Sequence, residues 1–406
     1  MRGKTGVYLI GALGSIATTV VTGALALRER MIPPIGMVTA TDVFEGADLV
    51  RIEDLEFGGC DIRCATDEHP AGSDFDAGPI DPRIAEAVGP ELRAILKGIH
   101  GGTATNCGEA IAGLAGCTRQ DGGTLRDEIE EIRERLRRFR RLSRLDEVVV
   151  VNLASTEPPL EFEVCHEFPA ALEACLDANR AEKIRASTLY AYAAIREGCP
   201  YVNFTPSNAA LFPALVRLAE QCGVPVMGSD GKTGETLVKS ALAPMFACRN
   251  LEVLSWEGFN ILGNMDGRVL NHPQNKESKI RSKDRVLAKI LGYAPHSRTG
   301  IDYVPSLDDQ KTAWDFIHFR GFLGAKMSLQ FTWQGYDSIL AAPLVLDMVR
   351  LAEFALRRGE AGLMPHLALF FKTPMGVEEY SLEAQYRMLL DYANGVRTAL
   401  RPVTGP

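Results

Sequence analysis

The chain has 406 residues, a net charge of −8, and 46% hydrophobic and 24% charged residues. This is the balance of a folded globular protein, long enough for two domains or one large domain with an insertion, and it argues against disorder and, through its negative field, against general nucleic-acid binding. Apolar runs break before membrane-spanning length, and nine scattered cysteines with no leading signal peptide fit free thiols in a reducing cytosol.

Taken in chain order, Val7–Ile10 reads as a strand, Gly11-Ala12-Leu13-Gly14-Ser15-Ile16-Ala17 as a glycine turn, and Thr18 to about Arg28 as a helix. That layout sets a helix N-terminus against a diphosphate. The pattern is imperfect, because Leu13 and Ile16 occupy the second and third glycine positions of the usual dinucleotide fingerprint. Ile35–Thr41 reads as a second strand. Asp42 and Asp61 are both candidates for ribose hydroxyls, and Asp42 reads equally as an ordinary strand-end turn residue. Cys60 and Cys64 lack a second Cys or His pair at zinc spacing, which disfavours a zinc site, and no metal ligand set is assigned.

Thr118–Thr124 reads as a loose segment. Seven arginines between Arg133 and Arg144 resemble a basic patch, but Ile129, Ile132, Leu136, Phe139 and Leu142 recur at helical spacing, so the arginines form the solvated face of an amphipathic helix. Cys165-His166 places a thiol beside a base, yet sequence neighbours rarely point the same way, which favours a structural role. Strands at Val148–Leu153, Tyr201–Phe204, Val224–Met227 and Leu251–Leu254 alternate with helical stretches, predicting an α/β, mainly parallel, doubly wound sheet. The polar loop Gly228–Thr236 offers backbone N–H groups and the Thr233 hydroxyl to a phosphate, and reads equally as a surface loop capping the next helix. It lacks P-loop spacing, which disfavours ATP.

The stretch from Gly263 to Lys283 is polar and lysine-rich, directly after an apolar strand candidate. If a helix begins near Ser278, Lys279 and Lys283 share one face, so two ammonium groups converge on one anion such as a phosphate. Lys311, after Asp308-Asp309-Gln310, and Lys372, after Leu367–Phe371, are candidates to join them. Each lysine alone reads as a solvated surface charge. Together in a desolvated pocket they repel, which lowers at least one pKa and prepares a general acid or base. Asp266 and Asp309 supply balancing negative charge.

These segments in this order resemble the myo-inositol-1-phosphate synthase family. The most specific match is Leu262-Gly263-Asn264-Met265-Asp266-Gly267 followed by Ser278-Lys279 and Ser282-Lys283. Phe57–Ile62, Ser155-Thr156-Glu157, Ala186–Tyr190, Gly198–Tyr201 and the Asp230 loop support it. The resemblance implies a Rossmann-like NAD-binding domain over residues 1–240, closed by a return over 341–406, and an inserted α+β catalytic and tetramer-forming domain over 241–340. By motif position, Lys279, Lys283, Lys311 and Lys372 match the family's active-site lysines. Asp230, Asn264, Asp266, Asp309 and Asp337 match its polar partners, and Thr233, before Gly234, stands where the family usually has a phosphate-binding serine. Gly11, Ala12, Leu13, Gly14, Ser15, Ile16, Asp61, Ser155, Thr156 and Asp230 would face NAD.

The implied chemistry is a redox-neutral, cytoplasmic sugar phosphate cyclase: oxidation of glucose 6-phosphate at carbon 5, enolisation, aldol closure onto carbon 1, and return of the hydride to give inositol phosphate. Lysine ammonium groups stabilise the enolate and alkoxide where charge develops. The same logic on a ketose phosphate such as fructose 6-phosphate closes a five-membered carbocycle, the main alternative. A simple NAD-dependent dehydrogenase would accumulate NADH. A non-catalytic NAD sensor would have no use for clustered lysines.

Overall fold

The computed structural model describes residues 3–63, 79–116, 123–264, 267 and 286–400, the last four of these without their side chains. The strands are β1 Lys4–Ile10, β2 Leu55–Asp61, β3 His100–Gly101, β4 Leu145–Asn152, β5 Tyr201–Asn203, β6 Pro225–Gly228, β7 Glu252–Leu262, β8 His296–Tyr303, β9 Gln310–Arg320, β10 Lys326–Tyr336 and β11 Gly362–Leu363. A seven-stranded sheet runs β11-β6-β5-β4-β1-β2-β3, with every pairing parallel. Its central strands are continuous apolar runs such as Val148–Val151 because both faces are buried under helices. The order turns about β1, which lies between β4 and β2. A crevice therefore opens at the carboxyl ends of β1 and β4, the switch point where ligands bind in such sheets.

Helices α1 Ser15–Arg28, α2 Pro82–Lys97, α3 Leu125–Leu142, α4 Pro169–Asp177, α5 Ala186–Arg196, α6 Pro213–Cys222, α7 Glu235–Cys248, α8 Asp337–Arg357 and α9 Leu382–Leu400 carry most of the packing. α1 and α8 bury long apolar faces together on one side of the large sheet (Val20, Val21 and Leu25 with Val345, Met348 and Ala352), while α3, α5 and α6 cover the other. A capping box of Thr124 and Asp127 starts α3. Its Ile129, Ile132 and Leu136 are buried, and Arg133 and Arg137 pair with Glu130 and Glu197, so the arginine face is solvated and ion-paired. Leu142, expected on the apolar stripe, is instead exposed at the helix end. Among the described residues no helix is long and apolar enough to cross a membrane.

The second sheet has four strands in the order β10-β9-β7-β8, with β9 antiparallel to both neighbours. One face packs on α7 through Phe246, Trp256 and Ile317. In that interface Lys239 is fully buried against Glu235 at 2.6 Å and Asp315 at 3.8 Å. Asn260 Nδ2 donates to Glu235 at 2.6 Å and Trp256 Nε1 to Asp315 at 2.7 Å. Buried charges persist only when paired in this way, and the network ties the first turn of α7 to the sheet.

Ile35–Thr41 is not a strand. Pro33 and Pro34 precede it without N–H groups, Gly36 takes φ +88°, and the N–H groups of Val38 and Thr39 donate to the buried Asp347 of α8 at 2.7 and 3.1 Å. The segment forms short 3₁₀ turns, with Asp42 exposed on the second. The second parallel strand is β2, where Gly59 lets the chain approach Leu9: a Cβ there would lie 2.1 Å from the Leu9 carbonyl oxygen.

Candidate active site

One cleft at the ends of β1 and β4 reaches from the glycine turn to the end of the small sheet. Gly11 takes φ +81°, and a Cβ on it would meet the Ala154 Cα at 2.9 Å, so only glycine fits. The N–H groups of Gly11 and Ala12 donate to the Cys60 carbonyl at 2.9 and 3.1 Å, pinning the turn to β2. No side chain caps α1, which leaves its first N–H groups open to an anion. Gly11, Gly14, Ser15, Ile16, Asp61, Ser155 and Thr156 line this half of the cleft. Ala12 and Leu13 are not among its lining residues. The Leu13 N–H is spent on Asp61 Oδ2 at 2.9 Å and its side chain packs on the core. Asp42 lies away from the cleft. An open helix N-terminus, a turn that admits only glycine and an acid at the end of β2 fit a dinucleotide.

At the other end, Asp230 stands in left-handed backbone at φ +63°. Lys372 Nζ donates to its Oδ1 at 2.7 Å, and its main-chain oxygen accepts from Lys372 N at 2.7 Å. Both side chains are buried, and Asp230 Oδ2 has no donor among the described residues although it borders the cleft. Close by, the ends of three strands and a helix converge. Asn264 follows β7, Asp309 precedes β9 and Lys311 is its second residue, and Asp337 opens α8 after β10. Lys311 Nζ contacts Asp337 at 3.1 Å, Thr233 Oγ1 donates to the same carboxylate at 3.2 Å, and Asp309 accepts from Ser338 and from Asn264 Nδ2 at 3.4 Å. Burial holds the Asp309 carboxyl above the usual carboxylate range. Lys311 is a step behind the wall: Asp337, not Lys311, lines the cleft. Gly234 ends the loop as the N-cap of α7.

The structure thus brings Asp230, Thr233, Asn264, Asp309, Lys311, Asp337 and Lys372 together beside the glycine turn. Lys279, Lys283, Asp266, Cys64 and Cys117 lie outside the described residues. The lysine that burial draws down is Lys232, to about 7. It does not line the cleft but points away from it to Gln385. Cys165 and His166 are structural: buried His166 accepts from Glu163 N at Nδ1 (2.8 Å) and its Nε2 lies 2.9 Å from the Lys183 carbonyl, so both ring nitrogens are used.

Sequence reading gave no site role to the wall beside Thr156, although Glu157 and Ser187 stand in segments that carry the resemblance. Glu157 is buried with its carboxylate on Ser187, its pKa raised by burial, and Asn152, Thr205 and Ser207 stand at the ends of β4 and β5. The signal available was their place just after apolar strands. Ser338 was legible only as a polar residue at the start of a helix. Among the described residues no group of three His, Cys, Asp or Glu side chains is arranged to hold a metal ion.

The model of an NAD-binding family described as myo-inositol-1-phosphate synthase matches residues 5–393. Inositol-3-phosphate synthase 1 of Bacteroides thetaiotaomicron is 34% identical, with 95% of this chain and 94% of that protein covered. The structure of a myo-inositol-1-phosphate synthase-related protein from Thermotoga maritima aligns with TM-score 0.79 and 26% identity over 96% of this chain and 98% of that one. The inositol-3-phosphate synthase of Caenorhabditis elegans shares the fold, with TM-score 0.86 and 24% identity over 98% of this chain and 86% of that one. A family model and a relative that each span nearly the whole chain settle the matter: the chain belongs to the myo-inositol-1-phosphate synthase family.

Proposed function

We propose that the chain is an NAD-dependent isomerase that cyclises glucose 6-phosphate to inositol phosphate. The observation that carries this reading is the single cleft in which an open glycine turn meets a buried Lys372–Asp230 pair and the Lys311–Asp337–Thr233 cluster. When bound, the nicotinamide supplies the oxidation at carbon 5 and the later reduction, leaving no net redox change. The chain's own residues handle protons and charge. Asp230 Oδ2, buried and without a donor among the described residues, is placed to accept a substrate hydroxyl, while Lys372 holds the other oxygen. Lys311 neutralises Asp337 behind the cleft wall, so that this carboxylate does not repel the oxygens that become negative in the enolate and alkoxide. Thr233 and the first N–H groups of α7 face the phosphate. Asp309, its proton affinity raised by burial, is a candidate for proton relay with Ser338. On its place in the sequence motif alone, Lys279 is assigned to the oxyanion and proton-transfer steps and Lys283, with the Thr233 loop, to the phosphate.

Incubation of the purified protein with NAD and either glucose 6-phosphate or fructose 6-phosphate, followed by NMR of the phosphorylated products, tests this. Inositol phosphate from glucose 6-phosphate without net NADH is expected. A five-membered carbocycle from the ketose, or stoichiometric NADH, would refute it.

We further propose a cytoplasmic homotetramer with the division 1–240, 241–340 and 341–406. The outer face of the small sheet supports the assembly: it exposes Phe259 of β7 and Trp314 of β9 beside Phe316 and His318, with the 11-residue β10 as its edge, and such faces and edges call for cover.

A further inference from the structure

Asp61, the acid expected to receive the ribose, is already saturated. Its Oδ1 accepts from the Arg63 N–H at 2.9 Å and Arg63 Nε at 3.1 Å, and its Oδ2 accepts from the Leu13 N–H at 2.9 Å and Arg63 Nη2 at 3.2 Å. Two donors on each oxygen use the acceptor capacity of a carboxylate. A ribose hydroxyl can therefore bind Asp61 only if the Arg63 side chain lets go.

Arg63 is the member of the pair with room to move: its side chain is 30% exposed, against 4% for Asp61. Its Nη2 lies 3.8 Å from the place a Cβ on Gly14 would take, over the last glycine of the turn and the uncapped start of α1. Arg63 and Lys372 are the only cations among the described residues that line the cleft, and Lys372 stands at the far end on Asp230. The glycine-turn half thus offers one guanidinium and one helix N-terminus at the same point, the complement of an anion with two negative charges.

We propose that Arg63 is a cofactor-binding residue whose guanidinium passes from Asp61 to the diphosphate of the dinucleotide, freeing Asp61 for the adenosine ribose. The planar fork that grips a carboxylate bidentately grips a phosphate equally well, so the exchange trades one charge-assisted pair for another. The N–H groups of Leu13 and Arg63 remain on Asp61 throughout and hold it in position. An empty site thereby keeps a buried carboxylate neutralised, and a filled one uses both groups.

The inference rests on the dinucleotide reading of the cleft. The test measures NADH binding by fluorescence, with ADP-ribose and adenosine as competitors, for the wild type, Arg63→Met, Arg63→Lys and Asp61→Asn. Arg63→Met should weaken NADH and ADP-ribose by on the order of tenfold or more, while adenosine, which offers Arg63 no phosphate, should bind as well as or better than to the wild type because the competitor for Asp61 is gone. Arg63→Lys should recover part of the loss, and added salt should narrow the gap. Asp61→Asn should weaken adenosine while keeping the advantage of ADP-ribose over it. An equal loss for adenosine and ADP-ribose in Arg63→Met would make Arg63 a mere support for Asp61 and overturn the proposal, as would unchanged ADP-ribose binding. Failure of the wild type to bind NADH would overturn the dinucleotide reading itself.

Discussion

Replacing Lys372 by Met should cost more in the wild type than in an Asp230→Asn background. The two groups meet at 2.7 Å with side chains 10% and 5% exposed. At an effective dielectric of about 20 their attraction is roughly 6 kcal/mol, and burying each ion costs several kcal/mol, so the pair contributes little net stability. Breaking it is different. Lys372→Met leaves a buried carboxylate whose Oδ2 already lacks a donor among the described residues, and Asp230→Asn leaves a buried ammonium facing an amide. Each single variant should lose about 3–5 kcal/mol, and the double variant should lose less than their sum by about 2 kcal/mol or more. Urea unfolding of the wild type and the three variants at one pH measures this. All three should also lose product formation, because both groups border the cleft. Single variants within about 0.5 kcal/mol of the wild type, or a double variant equal to the sum, would refute a coupled buried pair.

Gly11→Ala forces a side chain into left-handed backbone at φ +81° and against Ala154. It should cost about 1–3 kcal/mol and weaken NADH binding, and unchanged NADH affinity would count against the turn as a diphosphate site. Lys311→Ala should abolish cyclisation while leaving NADH affinity within about twofold, since Lys311 meets Asp337 and not the glycine turn; normal turnover would remove it from the chemistry. Lys232, buried beside Gln385, has its pKa drawn down by burial to about 7 from 10.5. Between those values the unfolded chain binds the extra proton, so wild-type stability should rise with pH above 7 relative to Lys232→Met, by up to about 1.4 kcal/mol per pH unit. Parallel unfolding curves across pH 7–9 would show that Lys232 does not titrate there. Phe316→Arg on the outer face of the small sheet should lower the mass measured by sedimentation, and an unchanged assembly would place the subunit contacts elsewhere.

Much of the large sheet was legible because its signals are local. The apolar run, glycine turn and helix at the N-terminus, the apolar stripe of α3 and the short parallel strands each declare themselves within a dozen residues by period and punctuation. Of the small sheet only the start of β7 was legible, as a strand at Leu251–Leu254, and it reads as part of the parallel sheet, whereas β7 pairs antiparallel with β9 in the separate four-stranded sheet. Along β9, outward Trp314, Phe316 and His318 alternate with inward Asp315 and Ile317, and a buried aspartate reads as a surface residue until Lys239 and Trp256 are seen across from it. Ile35–Thr41 shows the same limit: its composition suits a strand, but its N–H groups go to Asp347, more than 300 residues away in sequence.

By itself, the sequence determined that the chain folds as α/β, where a dinucleotide turn lies, and which motifs carry lysines and carboxylates, because backbone preference and amphipathic period act between near neighbours. Only the tertiary structure decided that Asp61 and not Asp42 reaches the cleft, that Arg63 occupies its acceptors, and that Asn264, Asp309, Lys311 and Asp337 meet beside the Lys372–Asp230 pair. Those choices depend on strand register and on which charge finds a partner in the buried interior, and both are settled between residues far apart in the chain.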